Sequence, residues 1–129
     1  MSNLSLEQVR AEKYRRSLAD FTEASWPTIE PGVAYKDNWH IQAISEHLQA
    51  VVEGKIKRLI INVPPRHMKS ISVAVCLPAW TWSFRPATKF LYASYASSLS
   101  IRDSVKCRRL IDSDWYKAHF GDMFELTSD

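Results

Sequence analysis

Glycine is scarce in this chain, and its scarcity is the first constraint on fold and function. Three glycines occur in 129 residues, at Gly32, Gly54 and Gly121. Glycine is the residue that most readily adopts positive φ in tight turns. A complete α/β nucleotide-binding domain of this length would need more of them for its turns, so the composition speaks against a complete domain of that class.

Cysteine and long apolar runs are also lacking. The two cysteines, Cys76 and Cys107, form no C-x-x-C motif and no Cys/His pair at metal-ligand spacing, which favours reduced thiols packed as small hydrophobic residues. The longest apolar stretch is ended by Thr81, Ser83 and Arg85, below transmembrane length. The first residues are polar and charged, unlike a signal peptide. We therefore expect a cytoplasmic protein with no membrane partner.

The composition that remains is typical of a folded, mildly basic domain. Apolar residues make up 46% of the chain, which excludes a disordered composition. The formal net charge is +3, which permits a polyanionic partner without requiring one.

Hydrophobic periodicity predicts helices separated by two short strands. A capping box of Ser5 and Gln8 begins the first helix, Asn38 or Asp37 caps the second, and Gly54 ends it. The predicted elements are helix 5–25, an irregular link over 26–38, helix 39–53, strand 57–63, helix 69–84 interrupted by Pro78, a turn over 85–89, strand 89–95, helix 98–111 and a short helix near 113.

The order of the later elements predicts a βαβα unit. Such units form parallel sheets with right-handed crossovers, and ligands bind at the carboxyl ends of the strands. The predicted fold class is therefore α/β, with a parallel sheet preceded by helices.

The stretch "IINVPPRHMKS", residues 60–70, has the order of a phosphate-binding loop. An apolar run meets two prolines, a basic segment follows, and Lys69 and Ser70 precede an apolar helix. The P-loop pattern G-x-x-x-x-G-K followed by Ser or Thr would place glycine at Val63 and Met68. From the pattern alone, a phosphate cradle and a Pro-Pro turn with surface cations are equally compatible with these residues.

Four segments resemble the amino-terminal part of the large terminase subunit of tailed bacteriophages and prophages. They are "WHIQAISEHLQAV", "RLIINVPPRHMKS", "PAWTWSFRPATKFLYASYASSLS" and "RDSVKCRRLIDSDWY". One branch of that family has a Walker A loop of the form P-P-R-H, then Gly or Met, then Lys and Ser or Thr. The resemblance covers about two-thirds of the chain. It implies an incomplete P-loop NTPase, with a helical segment and linker over 1–34 followed by the amino-terminal part of a P-loop ATPase domain over 35–129. It implies an ATP-driven motor that packages double-stranded DNA into procapsids, followed in the family by a nuclease domain.

The resemblance also implies roles for single residues of the loop. Pro64, Pro65, Arg66, His67 and Met68 would form its wall. Lys69 would contact the β- and γ-phosphates of ATP, and Ser70 would ligate Mg²⁺. Arg66 is the candidate for the catalytic arginine that many terminases carry in this loop, but it stands one place closer to the lysine than usual, so a phosphate-binding or structural role stays open.

The family's adenine-binding segment corresponds to residues 35–42. Tyr35 or Trp39 would stack on the base, and His40 or Gln42 would bond its edge. The alternative is that Trp39 packs at the helix start and His40 is exposed, since a lone tryptophan is usually a core residue.

The second predicted strand is followed by hydroxyl groups and then by a basic helix. By analogy with helicase-like ATPases, Ser97, Ser98 and Ser100 would contact nucleic-acid phosphates, and nearby cations would assist. A serine-rich helix cap with a solvated charged face explains the same residues. The cations are Arg102, Lys106, Arg108 and Arg109.

The acidic residues needed for hydrolysis are not found. A Walker B strand ends in Asp, with a Glu that activates water, and Leu110-Ile111-Asp112 lies in a helical context instead. We therefore expect an amino-terminal fragment or truncated prophage product that does not hydrolyse ATP alone. The parent protein would be an ATPase with partners in a small terminase subunit, a portal protein and copies of itself. The alternatives are a non-enzymatic prophage remnant that binds nucleotide or DNA, and a P-loop helicase or kinase of another family.

Overall fold

Side-chain caps set the helix boundaries in the computed structural model, which describes residues 5–64 and 69–126. The helices are α1 (Leu6–Arg16), α2 (Leu18–Ile29), α3 (Trp39–Val52), a π-helix π1 (Ile71–Cys76), α4 (Leu77–Trp82), α5 (Ser97–Ile111) and α6 (Asp114–Phe120). The predicted capping box is confirmed: Gln8 N donates to Ser5 Oγ at 3.2 Å, and Ser5 N donates to Gln8 Oε1 at 2.8 Å. Asn38 caps α3, as predicted.

The predicted single helix over 5–25 is two helices. Ser17 has extended backbone, with φ −142° and ψ 113°, and its hydroxyl accepts from Asp20 N at 3.2 Å. A serine whose side chain caps the following helix can end one helix and begin the next. The second helix runs through Pro27 to Ile29, so the irregular link begins later than the predicted residue 26.

The predicted parallel sheet is wrong, because no strand occurs within residues 5–64 and 69–126. Residues 57–63 run without strand pairing, with Leu59, Ile61 and Val63 against the helical core and Ile60 85% exposed. Residues 89–95 likewise form no strand. The helices α2, α5 and π1 pack directly on one another, which leaves no layer between them for a sheet. The βαβα P-loop fold is therefore replaced by a helical one in this part of the chain.

Helix π1 continues directly into α4. The helix predicted over 69–84 is therefore present, but the predicted interruption at Pro78 does not occur. The amide N–H of Leu77 donates to Ser72 O, five residues back. A proline ring clashes with the carbonyl four residues before it in an α-helix. A wider turn upstream of Pro78 relieves that clash while the helix continues.

The core is formed by aromatic rings from α2, α4 and α6. Phe21, Trp80, Tyr116 and Phe120 are fully buried, and Tyr116 Oη donates to Ala79 O at 2.8 Å. Trp80 Nε1 donates to Tyr14 O at 2.9 Å, which joins α4 to α1. This packing holds the helical stretch that begins at Lys69 in a fixed position.

Both cysteines are free and buried, as predicted. Burial raises the pKa of the Cys76 thiol to about 12 and that of Cys107 to about 11, although Thr22 and Ser25 hydrogen-bond to the Cys76 sulfur and oppose the shift. The folded chain therefore keeps both thiols neutral at a pH where the unfolded chain ionises them.

Stability is expected to fall as the pH rises above 8. A thiol whose pKa is raised in the folded state stabilises the fold fully at pH values below its pKa in the unfolded chain. This contribution is lost as the pH rises toward the pKa of the folded state. Between pH 8 and pH 10 the loss is about 2 kcal/mol for each thiol. Urea unfolding under reducing conditions measures it. Cys107→Ala should lower the slope by about a third, because the raised pKa values of Tyr35, Tyr92 and Tyr116 also contribute toward pH 10. A slope unchanged by this substitution would contradict the assignment to the thiols.

Candidate functional site

A cleft of about 530 Å³ lies beside the start of the helical stretch 69–82. Its walls come from that stretch, from residues 90–94 and from the first half of α5. The lining residues are Lys69, Ser70, Val73, Ala74, Pro78, Trp82, Phe90, Tyr92, Ala93, Ser94, Leu99, Ser100, Arg102, Asp103, Ser104 and Cys107.

One set of lining residues is polar and includes the two residues for which the sequence predicts phosphate binding. Lys69 and Ser70 are exposed at the start of the helical stretch. Across the cleft, the Ser94 and Ser100 hydroxyls are 2.6 Å apart, and Arg102 Nε donates to Asp103 Oδ1 at 3.2 Å. The cleft therefore offers cationic and hydroxyl groups suited to an anionic ligand.

Another set of lining residues is aromatic. The ring centroids of Phe90 and Tyr92 are 6.1 Å apart with an interplanar angle of 13°, and Trp82 meets Phe90 edge-on at 5.8 Å. Tyr92 Oη donates to Val73 O at 2.7 Å, and burial raises the pKa of this phenol well above its usual value. Trp82 Nε1 donates to Thr88 O at 2.8 Å. We call Trp82, Phe90 and Tyr92 the aromatic wall.

The structure brings together part of the predicted phosphate loop. Lys69 and Ser70 line the cleft, whereas Pro64 is exposed and is not among the lining residues. Pro65, Arg66, His67 and Met68 lie outside the described residues. The catalytic role of Arg66 therefore stays a prediction.

The four predicted adenine-binding residues do not line this cleft. Trp39 is 77% exposed and meets the His40 ring edge-on at a centroid distance of 6.3 Å. Tyr35 packs edge-on against Trp26 at 6.0 Å, and burial raises its pKa to about 12. Gln42 is exposed on α3.

The serine-rich segment is divided between the cleft and the surface. Ser100 and Arg102 line the cleft, while Ser97 and Ser98 are exposed in the first turn of α5. Lys106 Nζ pairs with Glu30 Oε1 at 2.5 Å and ties α5 to the end of α2. Arg108 and Arg109 are exposed in the last turn of α5.

Sequence reasoning missed the aromatic wall and the carboxylate of Asp103. Phe90 and Tyr92 fall in the predicted strand 89–95, and the sequence analysis gives neither Trp82 nor Asp103 a role in binding. The one available signal was the aromatic and hydroxyl content of residues 89–100, "KFLYASYASSLS", next in the chain to a tryptophan-containing helix.

A magnesium ion fits this cleft only if a nucleotide carries it. Within residues 5–64 and 69–126, no group of three His, Cys, Asp or Glu side chains is placed to hold a metal. The Ser70 hydroxyl and the Asp103 carboxylate line the cleft. Mg²⁺ commonly takes one or two protein ligands, with phosphate and water oxygens supplying the rest. The Ser70 hydroxyl suits that mode, whereas the Asp103 carboxylate is paired with Arg102.

None of the helices in the described chain combines the length and apolar character that crossing a membrane would require.

Comparisons of the chain with protein-family models, with curated proteins and with solved structures found no match.

Proposed function

We propose that this chain is the ATP-binding amino-terminal portion of a terminase large subunit, the motor that packages viral DNA into procapsids. The observation that carries the nucleotide-binding part is the cleft, where Lys69 and Ser70 share a lining with Ser94, Ser100 and Arg102. The resemblance of the four sequence segments supports the larger role.

Phosphate binding by itself does not require a parallel sheet. Phosphate oxygens are bound by cationic and hydroxyl donors wherever the fold makes these converge, and the cleft supplies both between helical segments. The Lys69 ammonium is a mobile cation that would bind the phosphates, and the Ser70 hydroxyl lies next to it in the lining. Ser70 would ligate the Mg²⁺ that accompanies ATP. When bound, that ion supplies charge neutralisation of the phosphates.

The remaining partners follow from the proposed role. Double-stranded DNA, a small terminase subunit, a portal protein and further copies of the chain are the partners of such a motor. A non-enzymatic module that binds nucleotide is the second candidate. It is favoured by the fact that Asp103, the carboxylate that lines the cleft, is paired with Arg102 at 3.2 Å and is thus less available as a base.

Titration of the chain with ATP and Mg²⁺ in a calorimeter tests the nucleotide-binding part. We expect saturable binding with one ATP per chain, competition by inorganic tripolyphosphate, and much weaker binding of AMP, because the lysine and hydroxyl groups recognise the phosphate chain. The absence of ATP binding at millimolar concentration, or binding of AMP and ATP with equal affinity, would overturn the proposal.

A further inference from the structure

We propose that Arg102 distinguishes a nucleoside triphosphate from a diphosphate, by exchanging its bond to Asp103 for bonds to the terminal phosphate. The inference rests on the proposed function, because it takes the phosphates to lie at Lys69 and Ser70. It adds the side chain that detects whether the third phosphate is present.

Arg102 lines the cleft from a different segment of the chain than Lys69. Lys69 and Ser70 begin the helical stretch 69–82, whereas Arg102 lies in the second turn of α5. Helix α5 packs on π1, which follows Ser70 directly. Within the part of the lining that the structure describes, Arg102 is the one cation besides Lys69. It is therefore the side chain available to a phosphate whose oxygens Lys69 does not already bind.

The ion pair of Arg102 uses only one of its nitrogen atoms. Arg102 Nε donates to Asp103 Oδ1 at 3.2 Å, whereas its two Nη groups make no hydrogen bond to a described residue. The Arg102 side chain is 50% exposed, and ion pairs in contact with water contribute little because solvent and salt screen them. The bond to Asp103 is therefore easily exchanged for a stronger one.

The terminal phosphate is the part of the ligand that suits this exchange. It carries more non-bridging oxygens than the inner phosphates, and guanidinium groups commonly bind phosphate through two parallel hydrogen bonds. Asp103 lines the same cleft and is 17% exposed, so its carboxylate repels a phosphate that Arg102 does not bind. ADP lacks the third phosphate, and we expect Arg102 to stay with Asp103 in the ADP complex.

The experiment compares binding of ATP and of ADP, each with Mg²⁺, by three variants of the chain in a calorimeter. Arg102→Ala removes the guanidinium group. Asp103→Asn removes the competing charge and keeps the shape of the side chain. Arg109→Ala is the matched control, because Arg109 is an exposed arginine of the same helix outside the cleft lining. Circular dichroism checks that each variant keeps its helix content.

We expect the unsubstituted chain to bind ATP at least about 10-fold more tightly than ADP, from the charge-assisted bonds that Arg102 adds. Arg102→Ala should lower ATP affinity by about the same factor and leave ADP affinity nearly unchanged, so that the preference for ATP is lost. Asp103→Asn should raise ATP affinity, because Arg102 no longer leaves a charged partner. Arg109→Ala should change neither affinity.

Three results would overturn the inference while leaving the phosphate site in place. The first is an ATP affinity that Arg102→Ala does not change. The second is an equal loss of ATP and ADP affinity in that variant, which would show that Arg102 does not detect the third phosphate. The third is a loss of ATP affinity in Asp103→Asn, which would show that the carboxylate helps to bind the nucleotide instead of competing with it.

Failure of the proposed function gives a different result, since the unsubstituted chain would then bind neither ATP nor tripolyphosphate, and this inference would fall with it. A second measurement covers the case in which Arg102→Ala does not fold. The Nε–H nuclear magnetic resonance signal of Arg102 in the unsubstituted chain should shift when ATP is added and stay in place when ADP is added. Equal shifts with both nucleotides, or no shift with either, would overturn the inference.

Discussion

Replacing Lys69 by alanine is expected to abolish ATP binding. Lys69 and Arg102 are the two cations among the described residues that line the cleft, and Arg102 is already paired with Asp103. Removing Lys69 leaves the described part of this lining with one cation and one carboxylate, Arg102 and Asp103, whose charges cancel. Charge-assisted hydrogen bonds contribute about 1.5–3 kcal/mol each, and one ammonium donates to more than one phosphate oxygen. We expect a loss of at least about 100-fold in affinity.

Calorimetric titration with ATP and Mg²⁺ measures the effect of Lys69→Ala. Lys89→Ala is the matched control, because it removes the same charge from an exposed position outside the cleft lining. Tripolyphosphate binding should be lost together with ATP binding in Lys69→Ala alone. Unchanged ATP affinity in Lys69→Ala, or equal losses in the two variants, would refute the phosphate-binding role of Lys69.

Replacing Trp80 by alanine is expected to cost about 3–5 kcal/mol of folding stability. The Trp80 side chain is 2% exposed, meets Phe84 edge-on at 4.8 Å and donates to Tyr14 O at 2.9 Å. The substitution leaves a cavity at the centre of the core and removes the bond that joins α4 to α1. Domains are usually stable by about 5–15 kcal/mol, so the loss is a large part of the total.

Urea unfolding followed by circular dichroism measures the effect of Trp80→Ala. Trp39→Ala is the matched control, since the same side chain is removed from a position that is 77% exposed. We expect the midpoint of unfolding to fall strongly in the first variant and to change little in the second. Comparable shifts in both would show that Trp39 is packed in solution.

The helices were predictable because their signals are local. Ser5 and Gln8 are three residues apart, and Asn38 is adjacent to the helix that it caps, so propensity and capping decide them without tertiary information. The division at Ser17 has a local cause as well. This division was not predicted because the apolar stripe continues on both sides of Ser17, since the helices α1 and α2 both face the same core.

The two strands were mispredicted because strand pairing is not a local property. A short apolar run such as residues 57–63 suits a buried strand and equally suits a chain that packs one side on helices. Whether a partner strand lies beside it depends on residues far away in the chain. Here Leu59, Ile61 and Val63 pack on the helical core, so their side chains are partly buried without any strand pairing.

Only part of the candidate site was predictable, because some of its residues are marked by local sequence and others reach it through tertiary packing. Lys69 and Ser70 were recognisable from their order after an apolar run and before a helix. Phe90 and Tyr92 lie about twenty residues further along and reach the cleft through tertiary packing, as the bond from Tyr92 Oη to Val73 O shows. No spacing in the sequence reveals that contact.

The wide turn at Ile71–Cys76 has a consequence for the comparison of related chains. A turn closed over five residues contains one residue more than the α-helical turn, so removing that residue restores an ordinary helix without unwinding it. Helical segments rarely tolerate a change in length, because every later side chain rotates about the axis. In this chain the segment between the cleft lysine and the core tryptophan is the exception. Natural relatives should therefore carry their single-residue gaps within 71–76, with the residues equivalent to Lys69 and Trp80 kept on either side.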